Sequence, residues 1–152
     1  MNAPAAATAV SPQLIGMPLI RTLIGFDTTS RESNLALIDW VREYLAGYGV
    51  EVSLTFDDER RKANLFATLP AKDGNATAGG IVLSGHTDVV PVDGQPWDTD
   101  PFAATIKADR LYGRGVADMK SFSAIGLAFV PQFLSRGLER PTLLPSTSNQ
   151  PG

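Results

Sequence analysis

Apolar residues recur along this chain with two periods, and the switch between them marks out the elements. In "SPQLIGMPLIRTLIGF", Leu14, Leu19, Ile20, Leu23 and Ile24 fall at roughly helical spacing, with Ser11 as the cap and Pro12 in the first turn. Pro18 is expected to delay the start of that helix. The pattern in "SNLALIDWVREYLAGYG" is cleaner. Leu35, Ile38, Val41 or Arg42, and Leu45 share one face, Ser33 or Asn34 can cap it, and Gly47 or Gly49 can end it. The period then drops to two: Val50, Val52, Leu54 and Phe56 alternate with Glu51, Ser53 and Thr55, as a half-buried strand does.

"KANLFATLP" reads as a second strand and the polar, Gly-rich "AKDGNATAGG" as a surface turn. "GIVLSGH" is an unbroken apolar run, which predicts a strand covered on both faces. A long loop with Pro91, Gly94, Pro96 and Pro101 follows, then "ATIKADRLYG", a small hairpin turning at Lys107 to Asp109. Met119 to Leu134 is helical in texture, and Pro131 must kink or end it. The expected fold is α/β: a central sheet with strands at about 50–56, 63–69 and 80–86, flanked by helices at about 34–47 and 118–135. The last dozen residues, "PTLLPSTSNQPG", carry no charge, and read as a short strand with a disordered end or as sequence foreign to the domain.

A chain of 152 residues is long enough for one domain with a real core, and 43% apolar with 19% charged residues is a globular composition. The net charge of -3 gives no basic footprint for nucleic acid. Zero cysteines exclude disulfides, thiolate zinc sites and a cysteine nucleophile. No apolar run reaches the roughly 18 to 20 residues of a membrane span. Residues 1–10 lack a basic region and a long apolar core, so they read as a loose tail and not a signal peptide, and the expected location is cytoplasmic.

Candidate chemistry starts from the one histidine. His86 stands at a predicted strand end, where open α/β sheets place their ligands. Asp88, two residues on, faces the same side of an extended segment and can fix the imidazole's tautomer. His86 is either a metal ligand or a hydrogen-bonded core histidine. In "LYGRGVADMKS", Gly113 and Gly115 permit tight backbone turns that deliver Asp118 to the start of a helix. Asp118 is either an N-cap or a carboxylate aimed at the same cleft, able to bridge two metal ions roughly 3.5 to 4 Å apart.

Taken together and in order, "LSGHTDVVPV", "WDTDPF" and "LYGRGVADMKS" resemble the amino-terminal signature of the two-metal aminoacylase and deacetylase family of metallopeptidases. The similarity runs from about Leu14 to Arg140. Within the family, "RESNLALIDWVREYLAGYGVEV", "RKANLFATLP" and "VDGQPWDTDPF" look most like acetylornithine deacetylases, with succinyl-diaminopimelate desuccinylases as the nearest alternative. The resemblance implies the amino-terminal part of a zinc-peptidase-like catalytic domain with a mixed sheet. It implies that His86 ligates one metal, that Asp118 bridges two, and that Asp88 serves catalysis by holding and polarising His86. It also implies zinc or cobalt as cofactor, a small N-acyl amino acid as substrate, no nucleic-acid or membrane partner, and a homodimeric family. Gly113, Gly115 and Lys120 match the motif without an assigned role.

The family also carries a paired-glutamate segment after the helix, a later carboxylate ligand, a distal histidine and an inserted dimerisation domain, and none of these is found here. The division expected is a tail over 1–10, a partial catalytic domain over 11–140, and an atypical, disordered or out-of-frame tail over 141–152. The expectation is therefore a chain truncated near Pro141 and inactive alone. A non-catalytic remnant and a binding module unrelated to metal are the competing readings.

Overall fold

A computed structural model describes residues 12–148, with side chains from 15 onward. Helix α1 (Pro12–Ile24) and helix α2 (Leu35–Ala46) come first, followed by strands β1 (Val52–Phe56), β2 (Ala63–Leu69), β3 (Ile81–Val82) and β4 (Gly85–His86). The hairpin β5 (Thr105–Lys107) and β6 (Arg110–Tyr112) precedes helices α3 (Lys120–Ala128) and α4 (Val130–Arg136) and strand β7 (Thr142–Thr147). The sheet is mixed, as expected. Its order is β1-β2-β7-β3, with β4 also on β7. β1 and β2 are antiparallel, as are β2 and β7, whereas β3 and β4 run parallel to β7.

The amphipathic patterns account for the core. Leu37, Ile38, Val41 and Leu45 of α2 are buried with Leu23 and Ile24 of α1 and with Leu65 and Leu69 of β2. Helix α2 ends as its glycines suggest. Gly49 takes φ of 72°, Gly49 N–H donates to Ala46 O at 2.9 Å, and Val50 N–H donates to Leu45 O at 3.1 Å. This pair of bonds is a Schellman closure, which needs the left-handed conformation that glycine adopts without penalty. The hairpin turn also falls where expected, with Ala108 and Asp109 at φ of 47° and 62°. Two consecutive positive values define the tight turn that matches the twist of paired strands.

Two expectations need adjustment, and the kink expected at Pro131 divides a helix. Pro18 lies inside α1 and does not delay it, because the buried face of Ile20, Leu23 and Ile24 holds the helix across one missing N–H. The expected helix over 118–135 is two helices broken at Phe129, since Pro131 in the first turn of α4 cannot donate into the preceding turn. The strand over 80–86 is not covered. It splits into β3 and β4 at the sheet edge, with Ile81 63% and Val82 57% exposed, because hydrogen bonds to β7 serve one side only. An apolar run predicts the conformation but not the neighbours.

Within the last dozen residues, Thr142–Thr147 form a strand. β7 sits centrally, between β2 on one side and β3 and β4 on the other. Its inward residues Thr142, Leu144 and Ser146 are buried. The Ser11 cap, the 1–10 tail and residues 149–152 lie outside the described residues.

Candidate metal centre

β4 ends at His86, pinned to β7 by the His86–Thr147 pairing and by Thr87 N–H donating to Thr147 O at 2.7 Å. Helix α3 crosses close behind, where a Cβ on Gly85 would come within 2.4 Å of Ser123 Oγ and force that side chain to shift. The next residue, Thr87, is 2% exposed and fully engaged. Its hydroxyl accepts from Asn34 Nδ2 at 3.0 Å and donates to Thr147 O at 3.1 Å, and its carbonyl accepts from Thr28 Oγ1 at 2.5 Å. Anchoring Thr87 on one side turns its two neighbours together to the opposite side, because side chains alternate along extended backbone.

His86 and Asp88 therefore share one side. His86 Nδ1 lies 2.9 Å from the Asp88 carbonyl oxygen and 3.4 Å from Asp88 Oδ1. The shorter contact is the backbone one, so the main chain of Asp88 orients the ring and its carboxylate adds charge. On the other ring nitrogen, His86 Nε2 lies 3.0 Å from Asp118 Oδ1. Asp118 precedes α3, whose N-cap is Met119 and makes no side-chain cap bond. The N-cap alternative for Asp118 is thus not what the fold uses: the carboxylate reaches across to the histidine.

Both imidazole nitrogens face oxygen acceptors, which suits the doubly protonated ring. Burial pulls the His86 pKa down, but the Asp118 and Asp88 hydrogen bonds and the charge of both carboxylates outweigh it and leave it above the ordinary 6.5. The same geometry fits a divalent ion in place of the Nε2 proton. One imidazole nitrogen and one carboxylate oxygen converge, and the far nitrogen is fixed by a second-sphere oxygen, as metal-binding histidines require. The fit is partial. Among the described residues no cluster of three or more His, Cys, Asp or Glu side chains could hold a metal. The residues outside that range contain none of these types.

The other two signature segments hold the frame. Arg114 stacks 5.2 Å over the Trp97 ring, bonds Gln95, and donates its N–H to Pro101 O at 2.6 Å, joining the "WDTDPF" loop to the glycine turn. Gly115, at φ of 84°, lets Val89 and the Lys120 stem close in, since a Cβ there would sit 3.0 Å from Val89 Cγ1. Lys120, which matches the motif without an assigned role, is 1% exposed and donates to Phe26 O at 2.6 Å. Burial lowers its pKa to about 8, with Asp27 opposing. Its spacing from Ala124 and Leu127 was the available signal, because it puts a lysine on the apolar face of α3. Asn34 was also missed as a site residue. Asn34 is the N-cap residue of α2 but makes no side-chain cap bond: its amide donates to Ala63 O at 2.9 Å and to Thr87 Oγ1 at 3.0 Å and accepts from Ala63 N–H at 3.0 Å.

Residues 82–144 match the family model described as peptidase family M20/M25/M40. This stretch is similar to the M20 peptidase family. The match includes His86, Asp88, Asp118 and the first residues of β7. Acetylornithine deacetylase of Yersinia pseudotuberculosis is 36% identical over 125 residues, covering 82% of this chain and 32% of the relative. Acetylornithine deacetylase of Proteus mirabilis is 37% identical over 139 residues, 91% of this chain and 34% of the relative. The chain thus spans about a third of the length of these curated relatives. Human carnosine dipeptidase 1 superposes with a TM-score of 0.71 at 20% identity, over 90% of this chain and 33% of that one. An M20 family metallo-carboxypeptidase from Sulfolobus solfataricus gives 0.70 at 21%, over 88% and 30%. These two likenesses show a fold shared with about a third of each of those chains.

Proposed function

We propose that this chain supplies one metal-binding corner of an amidohydrolase that removes the acetyl group of N2-acetylornithine, giving ornithine and acetate. The carrying observation is the 3.0 Å approach of His86 Nε2 to Asp118 Oδ1 with Asp88 behind the ring. The substrate rests on the relatives, acetylornithine deacetylases at 36–37% identity. In this reading His86 and Asp118 are ligands, Asp118 bridges two ions, and zinc or cobalt is the metal. Bound divalent ions lower the pKa of a coordinated water and polarise the amide carbonyl. The chain's own part is to present the two donors: Asp88 keeps Nδ1 protonated and Nε2 directed outward, and the Thr87 anchor fixes both neighbours. Alone, one imidazole and one bridging carboxylate fall short of the three or four donors of a catalytic site, so we propose that the isolated chain does not turn over substrate. A cytoplasmic location and a homodimeric assembly belong to the same proposal.

A chimera tests it. Residues 14–140 of this chain replace the matching third of the Proteus mirabilis relative. The chimera is expected to hydrolyse N2-acetylornithine, and its His86→Ala variant to lose more than the roughly 10- to 100-fold typical of an outer-sphere change. A folded, active chimera indifferent to His86→Ala would remove the proposal.

A further inference from the structure

We infer that Lys120 is a positioning residue for the donor pair, its ammonium tying the backbone that braces His86 to the first turn of the helix that follows Asp118. The inference rests on reading His86 and Asp118 as ligands. Lys120 Nζ donates to Phe26 O at 2.6 Å, and Phe26 opens a segment laid along the His86 strand. From that segment, Thr28 Oγ1 donates to Thr87 O at 2.5 Å and Thr28 O accepts from Val89 N–H at 3.0 Å. Ser30 N–H donates to Val89 O at 3.0 Å, and Thr29 bridges Val89 in parallel. At its other end Lys120 N–H donates to Gly115 O at 2.8 Å, and its stem lies against the Cβ-less face of Gly115. One side chain therefore joins the segment that aims His86 and Asp88 to the turn that aims Asp118.

Stability does not account for an ammonium here. A buried amine is costly to desolvate, and the residues beside it on α3, Ala124 and Leu127, are apolar. A linear apolar side chain of similar volume would fill the space, and the desolvation cost it removes offsets the one donor that Phe26 O loses. A positioning role and a packing role thus predict opposite pairings of stability with metal affinity.

The test compares wild type, His86→Ala and Lys120→Met for zinc affinity, by competition with a chromophoric chelator, alongside denaturant unfolding. Lys120→Met is expected to unfold at or above the wild-type midpoint yet to bind zinc about 10- to 100-fold more weakly. Wild-type affinity in Lys120→Met overturns the inference. Because the chain has no cysteine, Lys120→Cys can be alkylated uniquely with bromoethylamine in denaturant and refolded beside refolded wild type, which restores an ammonium at nearly the original reach. Affinity should fall in Lys120→Cys and return on alkylation; failure to return overturns the inference even if Lys120→Met does not fold. If wild type shows no His86-dependent zinc binding, the ligand reading fails and this inference with it. If it does and Lys120→Met matches it, the inference alone fails.

Discussion

His86 Nε2 and Asp118 Oδ1 meet at 3.0 Å across 32 residues of sequence, one at a strand end and the other just before a helix. As the chain's one histidine, His86 gives a single imidazole signal set in NMR. Its pKa is expected above 6.5, and Asp118→Asn should lower it by removing a negative charge beside the ring. Because the folded value is raised, His86 adds stability that is full below the unfolded pKa and is lost as pH rises through the folded one. A titration at or below the ordinary value, unmoved by Asp118→Asn, would show that the contact is not formed in solution.

Asn34→Ala should destabilise the fold by about 1–3 kcal/mol, because Ala63 N–H and C=O and the Thr87 hydroxyl all lose a buried partner. Urea unfolding at constant slope measures this. A change below about 0.5 kcal/mol, the surface range, would mean that water replaces the amide at no cost.

The elements whose identity is written locally were legible. Alternation from Val50 to Phe56, helical spacing from Leu35 to Leu45, the turn at Ala108 and Asp109, and the break before Pro131 each follow from the residues that form them. The pairing of His86 with Asp118 was legible too, because each ends or begins an element at one edge of the sheet. Partnership was not. Nothing within "GIVLSGH" says that β3 lies at an edge, and nothing within "PTLLPST" says that a charge-free stretch forms the centre of the sheet; both depend on distant strands. Lys120 was missed because a lysine among polar neighbours reads as exposed until the helix phase is known.

Edge exposure makes opposite demands on two apolar strand residues. Val82→Lys should change stability by no more than about 0.5 kcal/mol, since Val82 is 57% exposed. Leu69→Ala in β2, at 0% exposure, should cost about 2–5 kcal/mol. Comparable losses at both positions would show that β3 is covered after all.

The isolated 152-residue chain is expected to hydrolyse N2-acetylornithine no faster than its His86→Ala variant, with zinc or cobalt added, because too few donors converge. Turnover requiring both metal and His86 would show that other groups complete the site, from a second copy for instance.

The central claim is that His86 and Asp118 act as joint donors, and zinc addition followed on the single imidazole tests it most directly. At neutral pH the His86 ring resonances should shift in wild type, with release of the Nε2 proton, and Asp118→Asn should weaken the response about tenfold or more. Ring resonances that stay fixed across the zinc titration, or that shift equally in Asp118→Asn, would contradict the account.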